Sequence, residues 1–448
     1  MVRRGKRVDA EMSLCAARVI MPVILKPLLL FTLGFRLLAQ GGWPDPAFDA
    51  VPFNEWVAGG EQAQIRWTVR VSMIGLSTQQ RLRARIAVQV DGNEVAKRLG
   101  KGQLVILTRA ADREGRVYQI HQPLQFKDVT EATSKVDIAY SHDAFVLPGD
   151  YPFSVVIFDT ATREHSVAKR MLHVPALKND PLPAAWRDLP PIEFLTSAEP
   201  PDSWFQPGMK GRLNLPLETR HPVRIEVLVN ASPTEFTSRL GRASNMNLGV
   251  LIPALKVLSQ VQVRDGSMEA VLLDLTRQRV NFEQTIARGL DWNSVKEALA
   301  EANPNIIDVH SLENREQKAQ FFVDEVKRRI VPASGEPLRI LIVLSGPMAF
   351  RSGEDLRPID LDKSDRYRIF YVRYHSFQAR GIPGGFDMSV PTRGGPRSLP
   401  MPPQRAVRSQ MDSLERTLKP LEPRLFDVDS PDQFRKVLAA MLSEISRM

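Results

Sequence analysis

The sequence predicts a chain of two unlike halves: an N-terminal antiparallel β-sandwich followed by a doubly wound α/β domain. Three observations carry this. From Glu61 to Val174, short runs alternate apolar and polar residues with period two. From Pro222 onward, apolar strands alternate with stretches of helical spacing. Between them lies a proline-rich span with little periodicity. A length of 448 residues suits two or three domains, and an apolar content of 43% can build their cores.

In the first half, Gln64 to Val71 and Leu82 to Val90 alternate cleanly, the second ending in the turn pair Asp91-Gly92. Val117 to Ile120, Lys135 to Tyr140, Tyr151 to Phe158 and Ser166 to Val174 continue the series. Short strands at this spacing predict a sandwich. The segment PGDYPFSVVIFD is similar to the late hairpin of immunoglobulin-like or fibronectin-like modules. The predicted organisation is a signal peptide or anchor at 1–40, a linker at 41–60, the sandwich at 61–175, a connector at 176–221 and the second domain at 222–448. The connector carries Trp186, Phe194 and Trp204 as packing residues.

In the second half, Val223–Val229, Met268–Leu275, Leu338–Leu344, Arg368–Tyr374 and Arg424–Val428 predict strands. Leu248–Val261, Trp292–Ala302, Asn314–Val331, Ser413–Leu418 and Asp432–Ile445 predict helices, the last begun by Ser430-Pro431.

The formal charge of +9 invites a nucleic-acid function, but its distribution opposes one. Residues 1–40 hold seven Lys/Arg against two Asp/Glu, which leaves only +4 for the other 408 residues. No nucleic-acid module is recognisable, so no nucleic acid is expected as partner. Arg3, Arg4, Lys6 and Arg7 precede the apolar run Pro27–Phe35, and Leu37–Gln40 resembles a cleavage site. Met12 and Met21 are alternative starts to Met1. Arg36 leaves that run short for a spanning helix. The expectation is export to a periplasmic, cell-surface or secreted location, with membrane contact only through an uncleaved N-terminus. Cys15, the only cysteine, lies in the removable segment, so the mature chain has no thiol or disulfide.

The strand Val223–Val229 runs into Asn230-Ala231-Ser232-Pro233-Thr234, with oxygen-bearing side chains at alternate positions. With the terminal pattern RLFDVDSPDQFRKVLAAMLSEI and the order of elements, residues 222–448 resemble the von Willebrand factor A-type domain, as in secreted bacterial proteins related to it. The resemblance implies a Rossmann-type α/β fold with a cation at the carboxyl ends of the strands. That cation wants several fixed oxygens and at least one carboxylate. Here Asn230 stands where the family has Asp, and Ser345, before Gly346, stands at a second Asp position. Near the second loop Asp291 is the nearby carboxylate, and Thr is absent from its expected place. Asn230, Ser232, Thr234, Ser345 and Asp291 are therefore vestigial metal positions. No cofactor is expected; magnesium or manganese would sit there if anywhere. Without a metal, Ser232 and Thr234 bond the turn's backbone.

Residues 376–410 hold six prolines, five glycines, five arginines and one acid, Asp387. Long aperiodic loops are functional or disordered. If functional, Arg380, Arg393, Arg397, Arg405 and Arg408 would dock an acidic partner, or anionic envelope polymers if the chain is exported.

Enzymatic motifs are missing. The seven histidines show no HExxH spacing, no Gly-x-Ser-x-Gly elbow appears, and neither a Walker loop nor a dinucleotide fingerprint follows a strand. The alternative enzyme is hydrolase-like, with Ser345 as nucleophile and His375 or His310 as base. A third alternative is a structural envelope scaffold. The expected function is a non-catalytic, exported module for protein interaction, adhesion or assembly, with an unidentified protein partner.

Overall fold

The computed structural model describes residues 45–99, 102–124, 136–195, 210–232, 248–287, 289–301, 317–331, 337–348, 359, 361, 366–375 and 412–448. Residues 1–40, expected from the sequence to be an export signal or anchor, and residues 376–410 lie outside them.

Two antiparallel sheets form the first half. One holds β2 (Trp67–Leu76), β3 (Leu82–Val90), β6 (Ile138–Val146) and β9 (Ile192–Phe194), in the order β2-β3-β6-β9. The other runs β1-β8-β7-β4-β5, built from β1 (Gln62–Ala63), β4 (Leu104–Ala111), β5 (Val117–Pro123), β7 (Gly149–Asp159) and β8 (His165–Val174). Strand β3 shows why the chain pairs this way. Leu82, Ala84, Ile86, Val88 and Val90 are buried, and the residues between them face outward. A one-residue slip would turn all five into solvent.

Two segments outside the predicted sandwich belong to it. Strand β9 comes from the connector and pairs with β6 through Ala144 and Phe194. Residues 46–58 hold a short turn and helix α1 (Phe53–Ala58). Phe48, Val51 and Phe53 pack there on Val105, Leu107, Val156 and Phe158. Asp91-Gly92 is not a hairpin turn. Asp91 caps helix α2 (Gly92–Ala96) by accepting from the Asn93 N–H at 2.8 Å.

In the second half, a six-stranded sheet has the order β14-β13-β11-β15-β16-β17. It comprises β11 (Val223–Asn230), β13 (Gly266–Asp274), β14 (Arg279–Thr285), β15 (Leu338–Ser345), β16 (Tyr367–Tyr374) and β17 (Arg424–Val428). Neighbours pair in parallel except β13 and β14. Gly266 starts β13 at φ +157°, where a Cβ would lie 2.0 Å from the Val223 carbonyl oxygen. Strands β10 (Leu215–Leu217) and β12 (Val261–Val263) form a separate parallel pair. The described helices here are α3 (Leu248–Leu258), α4 (Trp292–Glu301), α5 (Lys318–Ile330), α6 (Ser413–Leu418) and α7 (Pro431–Ile445).

This corrects the predicted fold class. Strand outweighs helix across the described residues, which hold seventeen strands in four sheets. The second half is a mixed sheet with few helices and not a clear doubly wound, Rossmann-type α/β domain. The physical reason is local. After β13 the chain turns back as a hairpin instead of crossing over through a helix. Strand β14, with only Val280 and Phe282 as apolar residues, gives a weak period-two signal.

Charge is also buried in this half. Glu226 on β11 accepts from Arg329 at 2.7 Å and from Arg339 at 3.3 Å, with Glu226 and Arg329 2% and 3% exposed. The cluster fixes α5 against the sheet.

Candidate functional site

Strand β11 lies inside the six-stranded sheet, so its carboxyl end falls between those of β13 and β15. Asn230 is its last residue and is buried. Its Oδ1 accepts from the Ser232 N–H at 3.1 Å, closing an Asx turn. Its Nδ2 donates to Ser345 Oγ at 2.9 Å and lies 3.4 Å from Met348 Sδ. Ser345 Oγ in turn donates to the Gly346 carbonyl at 2.7 Å. With the hydroxyl donating to that carbonyl, Ser345 Oγ is left to accept from the Asn230 amide.

Ser232 is tied to the other flank. Its Oγ accepts from the Leu275 N–H at 2.7 Å, just beyond β13. The hydroxyl bonds the backbone of a neighbouring segment and not that of its own turn. Thr234 lies outside the described residues. Asp291 is not brought into this group by any described contact. It is exposed and caps α4, accepting from Ser294 Oγ at 2.8 Å and from the Asn293 N–H at 3.0 Å. Those bonds hold its carboxyl below the ordinary range, with the Ser294 hydroxyl as the largest cause.

Sequence reasoning missed three members of the cluster: Met348, Tyr371 and Asp412. Tyr371, fully buried on β16, donates to Asp412 Oδ2 at 2.5 Å. Asp412 Oδ1 accepts from the Met348 N–H and the Leu414 N–H, each at 3.1 Å. The second bond caps α6. The Ser413 N–H donates back to the Met348 carbonyl at 2.7 Å. Burial pushes the Asp412 carboxyl up, opposed by the Tyr371 hydroxyl and the two amides. Burial, then the Asp412 charge, pushes the Tyr371 phenol well above its ordinary value. Beyond this, Arg373 joins Glu415 at 2.6 Å and Asp427 at 2.7 Å, and His375 Nε2 lies 2.6 Å from Asp427.

These donors do not suit the cation that the family resemblance implies. The atom of Asn230 nearest Ser345 is an amide nitrogen, which repels a cation, and its oxygen already holds a backbone N–H. Asp412, the buried carboxylate of this cluster, is occupied by three hydrogen-bond donors. Among the described residues, no group of three or more His, Cys, Asp or Glu side chains could hold a metal.

No described hydrogen bond joins Ser345 to His375. Ser345 is 0% exposed and faces Asn230 and Gly346, while His375 is bonded to Asp427. His310 lies outside the described residues, as do Arg380, Arg393, Arg397, Arg405 and Arg408. Asp274, the last residue of β13, is engaged by Arg277 at 2.8 Å. Among the described residues, no helix is long and apolar enough to cross a membrane.

The chain matches no protein-family model and no curated protein. Among solved structures, one from Bordetella pertussis, described under the name ApaA, shares 11% identity over 25% of this chain and 96% of its own, with a TM-score of 0.19. A structural-genomics target shares 12% identity over 26% of this chain and 92% of its own, at a TM-score of 0.18. A family 123 glycoside hydrolase from Clostridium perfringens shares 9% identity over 69% of this chain and 68% of its own, at 0.21. Overlaps this loose carry no argument about fold or function.

Proposed function

We propose that this chain is a non-catalytic protein-interaction or assembly module, exported through its N-terminal segment and independent of metal. The supporting observation is the closed network at the strand ends. Asn230, Ser232, Ser345, Tyr371 and Asp412 spend their polar atoms on one another and on backbone. In this reading, the turn that resembles the von Willebrand factor A-type site has exchanged a bound cation for an internal amide. Recognition then rests on surface shape and charge, and the arginines of 376–410 are the basic contact for an acidic protein partner.

Two experiments test it. A serine-reactive fluorophosphonate probe should leave the intact protein unlabelled; labelling lost in Ser345→Ala would replace the interaction module with a hydrolase. Separately, the intact chain and a variant with Arg380, Arg393, Arg397, Arg405 and Arg408 all changed to Ala are used as baits. A partner retained equally by both baits removes the loop from the reading.

A further inference from the structure

The sandwich and the six-stranded sheet are joined by more than a connector. Helix α7 carries Arg435, which is 2% exposed. Its Nε donates to Asp180 Oδ1 at 2.6 Å and its Nη2 to Asp180 Oδ2 at 2.8 Å. Nη2 also reaches the Leu182 carbonyl at 2.9 Å, and the guanidinium lies 4.5 Å from the ring centroid of Trp186. A bidentate, aromatic-stacked arginine of this kind admits one geometry.

The same point is held from the sandwich. Gln80, at the tip of the β2–β3 hairpin, is fully buried at φ +60°, a left-handed conformation that costs a residue with a Cβ. In that conformation its carbonyl accepts from Trp186 Nε1 at 2.8 Å and from Arg435 Nη1 at 3.5 Å. Its side-chain Nε2 donates to the Pro431 carbonyl, in the first turn of α7, at 3.0 Å. Three segments remote in sequence therefore meet at one buried guanidinium. Ile86, Val88, Trp186, Leu189, Phe434 and Leu438 belong to one buried apolar cluster that spans both halves. On its far side, Phe434 packs against Tyr374 at the end of β16, with ring centroids 5.8 Å apart.

We propose that Gln80, Asp180, Trp186 and Arg435 form a latch that couples the sandwich to the strand-end face of the six-stranded sheet. The hairpin tip and connector hold α7, and α7 holds Tyr374 and β17. A partner that binds either half is thereby felt by the other. A buried ion pair is weak evidence for stability as such, but breaking one strands a charge. Loss of Arg435 must therefore loosen every segment that it ties.

The test is amide hydrogen exchange on the intact chain. Arg435→Met keeps the stem over Trp186 and removes the charge. The latch predicts exchange at least about tenfold faster both in the hairpin tip, residues 77–81, and in β17. The exposed neighbour variant Lys436→Met should change neither. Acceleration confined to residues 431–445, or no acceleration, overturns the proposal. If Arg435→Met fails to fold, Gln80→Gly decides in its place. Glycine accepts the left-handed conformation but deletes the buried side chain along with its bond to Pro431 and loosens the tip itself, so for this variant the exchange of β17 alone decides.

Discussion

Asn230→Asp replaces one nitrogen by one oxygen and reverses the electrostatics of the strand-end cluster. The side chain is 2% exposed, so the new carboxylate stays buried. It keeps the bond from the Ser232 N–H and loses the donation to Ser345 Oγ, and the Ser345 hydroxyl can donate to the new carboxylate only by leaving the Gly346 carbonyl. No cationic side chain is described as bonded to Asn230 or Ser345, so an ionised Asp there has no counter-charge among the described contacts. An uncompensated buried charge costs about 3–5 kcal/mol. With an unfolding entropy of about 2.1 cal/mol/K per residue over roughly 400 residues, that corresponds to a fall of roughly 4–6 °C in Tm. The assay is a thermal melt in chelator at pH 7 and again at pH 5. Burial raises the new carboxyl's pKa above the unfolded value, so the folded state takes up the proton first and the loss shrinks as pH falls. A variant that melts with the wild type at both pH values would refute the closed network.

Two further predictions concern the remaining buried polar groups. Glu226→Ala removes the buried carboxylate shared by Arg329 and Arg339; Arg329 keeps Glu283 at 3.0 Å and Glu325 at 3.3 Å, so the loss should be about 1–3 kcal/mol, read as a shift in the urea midpoint. His142 is buried on β6, and burial lowers its pKa from 6.5 to about 4. The unfolded chain therefore takes up this proton first as pH falls. Stability should drop between pH 6.5 and 4, by about 3 kcal/mol in all. In His142→Leu that part of the pH dependence should vanish; an unchanged pH profile would assign the drop to other groups.

The legible parts of the chain were those whose signal is local. The alternation of Leu82 to Val90 marks β3 and its buried face without any knowledge of its partners. The turn after Val229 was legible as a polar cradle because Asn230 and Ser232 lie two residues apart. The direction of pairing was not legible: β14 has two apolar residues, and nothing in RVNFEQT says that it folds back on β13. Asp412 followed by Glu415 has the spacing of a helix start, and α6 begins there. Its bond to Tyr371, 41 positions away, has no local trace. Arg435 reads as one more solvent-facing charge on an amphipathic helix. Its partner Asp180 is 255 positions distant, and only the packed chain brings the two together.

The central claim is that an internal amide has replaced a cation at the strand ends. Its most direct test is the melting temperature of the intact chain in chelator, then in magnesium, manganese and calcium. A ligand at a hundred times its Kd adds about 2.7 kcal/mol to the folded state. For a unit of roughly 400 residues that raises Tm by about 3 °C. The account predicts no shift with any of the three ions. A shift of that size, abolished in Asn230→Ala, would contradict it and return a working cation to the cradle.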